Sequence, residues 1–167
     1  IWNSIRVPEP VKPLLGGILL GLLGIVSYQI DGFPRVFGVG YETIENTLFS
    51  QLTLQVTFGL LLLKLLATTL TLGSGGSGGI FAPSLFMGAM LGASFGQIAH
   101  NLFPEIVAPS GAYALVGMAA FFGGAAHAPI TAILILFEMT GDYQIILPLM
   151  LSTVLSTIVS RNLSPDS

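Results

Sequence analysis

The sequence predicts an all-α, polytopic membrane protein whose helices are tilted and in part broken. The first observation is composition: 53% of the 167 residues are hydrophobic and 8% are charged, whereas a soluble domain carries about 25% charged residues. The second is a series of long apolar segments, and the third is their interruption by glycine and proline. So few charges cannot cover a water-soluble surface, so the predicted solvent of this chain is lipid or other apolar protein.

Five apolar segments follow one another along the chain, and a helix that crosses a membrane needs about 20 such residues. They are Leu14–Ile30, Leu52–Leu72, Ile80–Leu102, Ala112–Thr140 and Ile145–Val159. The second and third are long enough to span without tilting, and the first spans if it tilts or includes flanking residues. Pro8, Pro10 and Pro13 suit the entry to the first helix rather than its interior.

The fourth segment contains a break at His127-Ala128-Pro129. Proline disfavours a helical conformation in the residue before it and fits the first turn of a new helix. The segment therefore predicts two helices, Ala112–Ala125 and Pro129–Thr140, each too short to cross a bilayer alone. Broken helices at membrane depth persist where protein or a wet cavity satisfies the freed backbone groups, as in channels and transporters.

Two shorter patterns add detail. Tyr41–Phe49 predicts an amphipathic helix with its acidic residues outward and its apolar residues inward; these are Glu42, Glu45, Ile44, Leu48 and Phe49. Glycines at four-residue spacing predict close packing between helix backbones. They are Gly17 and Gly21 in the first segment, and Gly88, Gly92 and Gly96 in the third.

Composition also argues against several function classes. The net charge is −3 without a basic run, so no nucleic-acid partner is expected. The chain has no cysteine, and His100 and His127 are too far apart to suggest a metal site. No G-x-S-x-G motif indicates a hydrolase. We therefore expect neither an enzyme nor a metal or cofactor.

Three isolated polar residues could be structural or functional. Lys64 lies inside the second segment, where an ionisable group is costly; we expect it to reach an interface or to bond helix carbonyls, with a permeation role as the alternative. Glu138 is expected to be a paired structural carboxylate, and the alternative is a proton carrier. His127 is expected to bond backbone groups freed at the helix break, with pH sensing as its alternative.

The glycine-rich stretch Gly73–Gly79, followed by Ile80-Phe81-Ala82-Pro83, admits three interpretations. A flexible linker suits its composition, but apolar spans flank it and a linker does not explain Pro83. A dinucleotide fingerprint matches Gly73, Gly75 and Gly78, yet no alternating strands and helices surround it. The third interpretation is a helix N-terminus presented to an anion.

The third interpretation has the strongest physical basis. A helix start leaves four N–H groups unpaired and carries about half a positive charge, which makes it an anion site. Partial charges also hold an anion weakly enough to release it, as conduction requires. The candidate anion-binding residues are Gly78, Gly79, Ile80, Phe81 and Ala82.

These residues resemble a known family. Gly73–Pro83, Ala126–Thr131 and Phe137–Pro148 are similar to stretches of the CLC family of chloride channels and chloride/proton antiporters. In that family a subunit has two halves of inverted topology, and the resemblance implies that residues 1–167 form a partial transmembrane domain, the second half, without the first half and the final helix. It implies that the amides of Ile80 and Phe81 contact a central chloride, with no cofactor.

The resemblance has further implications. A homodimer is implied, with the helices Pro129–Thr140 and Ile145–Val159 at the subunit interface and Ile130, Leu134 and Ile146 as contacts. The family's gating glutamate, in a G-x-E-G-P type motif, belongs to the first half and has no counterpart here. Gating and proton coupling are therefore expected to depend on the missing half.

The function expected from the sequence is transmembrane transport of chloride or a similar small anion by a multi-pass protein of the lipid bilayer. An alternative is a non-transporting membrane scaffold in which the glycines serve close packing. A third hypothesis is a membrane-embedded enzyme that uses Glu138 or His127. Chloride, the first half of the same domain and a second subunit are the expected partners.

Overall fold

The computed structural model describes residues 11–76 and 78–163, and its regular structure in these ranges is entirely helical. The helices are α1 (Val11–Asp31), α2 (Tyr41–Leu48), α3 (Leu54–Gly73), α4 (Phe81–Leu102), α5 (Ser110–Ala126), α6 (Pro129–Thr140) and α7 (Ile146–Leu163). A 3-10 turn, Tyr143–Ile145, connects α6 to α7. The predicted all-α class is confirmed. Pro8 and Pro10 lie outside the described residues.

Within residues 11–76 and 78–163, four helical stretches are long and apolar enough to cross a membrane. They are Val11–Ile30, Leu54–Gly73, Phe81–Leu102 and Tyr143–Leu163. Their outer faces expose large apolar side chains, among them Leu22 at 54% and Leu151 at 65%. Such faces suit a hydrocarbon solvent rather than water. The chain is a multi-pass integral membrane protein.

The predicted break in the fourth apolar segment is confirmed. α5 ends at Ala126, and His127 has the left-handed backbone conformation with φ 52°. Ala128 is non-helical with φ −124°, and Pro129 opens α6 in its first turn. The two helices have 17 and 12 residues; at about 1.5 Å of rise per residue, each is shorter than a hydrocarbon core of about 30 Å.

Helix α4 lies at the centre of the core and packs on α5 through its glycines. An ideal Cβ on Gly88 would lie 2.5 Å from the Gly117 carbonyl oxygen, and one on Gly96 would lie 2.9 Å from the Ser110 Cα. Gly92 faces the Tyr113 backbone in the same way. The predicted close packing at these three glycines is confirmed.

Within the part of the chain that the structure describes, the same prediction is wrong for α1. An ideal Cβ on Gly17 or Gly21 meets no atom within 4 Å among the described residues. The glycines of α1 that lie against neighbours are Gly16, beside the Ser74 side chain, and Gly24, beside the Phe37 ring. One residue turns a helix by about 100°, so Gly17 and Gly21 lie on a different face from the packed one.

Helix α2 is amphipathic largely as predicted. Glu42 and Glu45 are exposed, Ile44 is buried and Leu48 is half-buried. Phe49 was expected to point inward, but 69% of its surface is exposed. The helix ends at Leu48 and Phe49 is its C-cap, so the helical periodicity no longer determines the direction of this side chain.

Candidate functional site

The first part of the glycine-rich stretch completes the end of α3. Gly75 adopts the left-handed conformation with φ 85°. Its N–H donates to the Leu72 carbonyl at 3.3 Å, and the Gly76 N–H donates to the Thr71 carbonyl at 3.0 Å. This pair of bonds is a Schellman cap, which satisfies the last carbonyls of a helix. Gly75 and Gly76 therefore have a structural role in ending α3, which none of the three interpretations of the stretch included.

The second part of the stretch leads into the N-terminus of α4. Ile80 is the N-cap and Phe81 the first helical residue. The first intrahelical bond runs from the Ser84 N–H to the Ile80 carbonyl at 3.0 Å. Pro83 has no N–H, so the unpaired amides of this helix start are those of Ile80, Phe81 and Ala82. Among the described residues, none of these three amides donates a backbone hydrogen bond.

The predicted anion-binding residues form one continuous accessible segment. Gly78 and Gly79 are exposed, and the exposed fractions of Ile80 and Phe81 are 62% and 38%. Ala82 is half-buried. The Phe81 ring packs edge-on against the Phe122 ring of α5, with the ring centroids 5.0 Å apart and the planes at 87°. This contact holds the first turn of α4 against α5.

A cavity of about 140 Å³ lies beside this helix start. Its walls come from α1, α3, the loop between α1 and α2, and the entry to α4. The lining includes Val36, Gly38, Lys64, Gly78, Gly79 and Pro83. The site thus combines a wall of glycine backbone with a charged side chain from α3.

Lys64 is 4% exposed and its side chain bonds the loop between α1 and α2. Its Nζ donates to the carbonyls of Val36 at 2.8 Å and Gly38 at 2.7 Å. The same Nζ lies 4.9 Å from the centroid of the Phe86 ring, within cation–π distance. The expectation of an interface position or helix carbonyls was wrong, because the 32–40 loop folds back over the middle of α3.

The other two polar residues differ from their expected environments. Glu138 is exposed and forms no ion pair or side-chain hydrogen bond within the described ranges, so the expected pairing was wrong there. It lies in the last turn of α6, on the face that α5 and α7 leave open. The His127 Nε2 lies 3.0 Å from the Ser160 Oγ of α7, instead of bonding freed backbone. The His127 carbonyl accepts from the Arg161 Nη2 at 3.4 Å.

The structure does not gather these groups into a catalytic or metal-binding cluster. No group of three or more metal-ligating side chains occurs in the part of the chain that is described. His127 lies in the break before α6 and Glu138 lies in the last turn of that 12-residue helix. At about 1.5 Å of rise per residue, the length of α6 keeps the two side chains well beyond hydrogen-bond distance of each other.

The candidate interface residues lie on α6 and at the start of α7. Ile130 is 73% exposed and Leu134 is 56% exposed, one turn apart on the same face of α6. Ile146, the first residue of α7, is half-buried. The apolar face of α6 that carries Ile130 and Leu134 has no partner within the described chain.

Comparison with known proteins adds independent findings. The sequence profile of the family described as "Voltage gated chloride channel" matches residues 2–161. Proteins named voltage-gated ClC-type chloride channel ClcB, from Escherichia coli O9:H4 (strain HS) and Escherichia coli (strain K12 / DH10B), are 35% identical over 164 residues. The alignments cover 98% of this chain and 38% of each relative. The chain therefore spans well under half the length of these relatives.

Proposed function

The chain belongs to the voltage-gated chloride channel family, and on that premise we propose that it forms part of a transmembrane pathway for chloride or a similar small anion. The proposal covers a channel and an anion/proton antiporter, because both occur in the CLC family that the sequence resembles. Transport of this kind requires no cofactor and no chemical conversion of the ion.

One observation carries the proposal, namely the N-terminus of α4. The three amides of Ile80, Phe81 and Ala82 have no acceptor within the helix, and the helix dipole adds positive potential at this end. Gly78 and Gly79 add no side chain of their own to the approach, and an ideal Cβ on Gly79 meets no described atom within 4 Å. An anion at this position would accept hydrogen bonds from backbone donors whose partial charges are weak enough for its release.

The proposed pathway needs more protein than this chain supplies. The chain spans 38% of its Escherichia coli relatives, and we assign the opposite wall of the anion site to the first half of the same transmembrane domain. We also propose a homodimer in which Ile130, Leu134 and Ile146 lie at the subunit interface. The exposed apolar face of α6 supports this assignment.

Gly79→Leu in the full-length protein tests the proposal. An ideal Cβ at Gly79 meets no atom within 4 Å in the described structure, so a larger side chain fits the fold but extends toward the anion approach. We expect purified protein in liposomes to release chloride, and Gly79→Leu to reduce the rate about tenfold or more. Gly17→Leu, a glycine with equally open surroundings on α1, is the matched control and should retain the wild-type rate.

Two results would contradict the proposal. A wild-type protein that leaks anions and cations alike would indicate no selective pathway and would favour the membrane-scaffold alternative. Equal chloride release by the Gly79→Leu and wild-type proteins would remove the α4 N-terminus from the permeation route.

A further inference from the structure

We propose that Lys64 is a positioning residue that makes the cavity beside the α4 N-terminus attractive to anions. It does so by donating hydrogen bonds to two loop carbonyls, which would otherwise make the cavity attractive to cations. This inference rests on the proposed function and assigns to it a residue outside the helix terminus. It joins three features of the structure: the buried ammonium of Lys64, the carbonyls of Val36 and Gly38 in the loop between α1 and α2, and the cavity that these three residues line.

The loop carbonyls are held in place by Lys64 and by α4. The Lys64 Nζ bonds the oxygens of Val36 and Gly38 at 2.8 and 2.7 Å. Gly38 has φ 67° and Gly40 has φ 79°, conformations that favour glycine. An ideal Cβ on Gly40 would lie 2.5 Å from the Phe86 ring, the same ring that Lys64 approaches. The loop, the lysine and the second turn of α4 therefore form one packed cluster.

The electrostatic consequence follows from the sign of the groups. Carbonyl oxygens that line a pore replace the hydration of cations and select for them. Two such oxygens beside the α4 N-terminus would oppose an anion there. Lys64 donates a hydrogen bond to each of the two oxygens and adds a positive charge. The net electrostatic potential of this wall of the cavity therefore becomes positive.

The surroundings strengthen this effect. Lys64 is 4% exposed, and charges shielded from water interact more strongly than those at a surface. Gly78 and Gly79 line the same cavity as Lys64, so the positive wall faces the entry to the candidate anion site. Lys64 does not need to contact the ion directly. Its charge acts on the ion through space, and its two hydrogen bonds fix the orientation of the loop carbonyls.

Three variants of the full-length protein separate charge from geometry. Lys64→Arg keeps a positive donor, Lys64→Gln keeps a neutral donor, and Lys64→Met keeps neither. Chloride release from liposomes is measured over a range of chloride concentrations, together with the ratio of chloride to potassium permeability. Lys12→Gln, at a lysine of α1 that does not line the cavity, serves as the control.

We expect Lys64→Gln to raise the half-saturating chloride concentration about tenfold or more and to lower the chloride-to-potassium ratio. Lys64→Arg should retain at least half of the wild-type selectivity, and Lys12→Gln should match the wild type. Thermal unfolding of each purified variant identifies any that fail to fold, and Lys64→Gln and Lys64→Arg keep the test decisive if Lys64→Met does not fold.

The contrary outcomes are distinct. If the wild type transports chloride and Lys64→Gln has the same half-saturation and selectivity, the inference is overturned while the proposed function stands. If Lys64→Arg and Lys64→Gln lose rate equally with unchanged half-saturation and selectivity, Lys64 serves the fold alone and the inference is again overturned. Absence of selective chloride transport by the wild type would overturn both proposals.

Discussion

Among single residues, Gly92 shows how closely the two central helices approach each other. Its Cα faces the backbone of Tyr113, and an ideal Cβ would lie 2.8 Å from the Tyr113 carbonyl carbon and 3.0 Å from the Ala114 Cα. These neighbours are backbone atoms, which cannot move aside as a flexible side chain would. A methyl group at this position must separate α4 from α5.

Gly92→Ala is therefore expected to destabilise the protein. Overpacking of a tight contact typically costs about 1–3 kcal/mol. Because the neighbours of Gly92 are backbone atoms, we expect a cost in the upper part of this range, above the gain of about 1 kcal/mol from replacing glycine in a helix. Gly17→Ala, which meets nothing within 4 Å in the described structure, should be neutral or stabilising. Denaturant unfolding in detergent micelles measures both, and equal stabilities of the two variants would contradict the packing assignment.

At the level of elements, the boundary between α5 and α6 depends on more than its proline. His127 adopts a left-handed conformation that few side chains favour, and it is bound from α7 at two points. Ser160 lies at 3.0 Å from its ring nitrogen, and Arg161 donates to its carbonyl. The end of α7 thus stabilises the break between two helices that precede it in sequence.

A double-mutant cycle tests this connection. His127→Ala and Ser160→Ala should each lower the free energy of unfolding by about 0.5–1.5 kcal/mol, the usual net value of a hydrogen bond. The double variant should lose no more than about the larger single effect, because both changes remove the same bond. Unfolding of the four proteins in detergent gives the coupling, and strict additivity would show that the His127–Ser160 bond contributes nothing.

The sequence predicted the helices well and their tertiary contacts less well. The break before Pro129 and the start of α4 near Ile80 were predicted correctly, because proline and glycine act through local backbone preferences. The partner of Lys64 was missed, since it belongs to a loop 26 to 28 residues away. A lysine in an apolar segment indicated an interface position or bonded helix carbonyls, and no local pattern identified the loop carbonyls that it bonds.

At the scale of the whole molecule, the described chain leaves much apolar surface without a protein partner. Ile130 and Leu134 are exposed on α6, and Leu147 and Leu151 are exposed on α7 at 74% and 65%. Lipid could cover such faces as well as protein, because hydrocarbon gives no hydrophobic preference between them. Shape and packing therefore decide whether a second subunit binds here.

Leu134→Trp in the full-length protein tests the proposed dimer. A larger ring on the interface face should reduce association, since a well-packed contact does not accommodate the added volume. Single-molecule photobleaching in bilayers should show mostly monomers for Leu134→Trp and dimers for the wild type. Leu62→Trp, on an exposed position of α3, should remain dimeric, and an unchanged dimer in Leu134→Trp would place the interface elsewhere.

The Schellman cap at the end of α3 has a consequence for how this site can diversify. Gly75 needs its left-handed backbone, and a side chain on Gly76 would collide with the Thr71 carbonyl at 2.9 Å. Gly78 and Gly79 have room for side chains and adopt no such restricted conformation. Under the proposed function, variation that tunes ion preference without disturbing folding is therefore expected at positions 78 and 79 and not at positions 75 and 76.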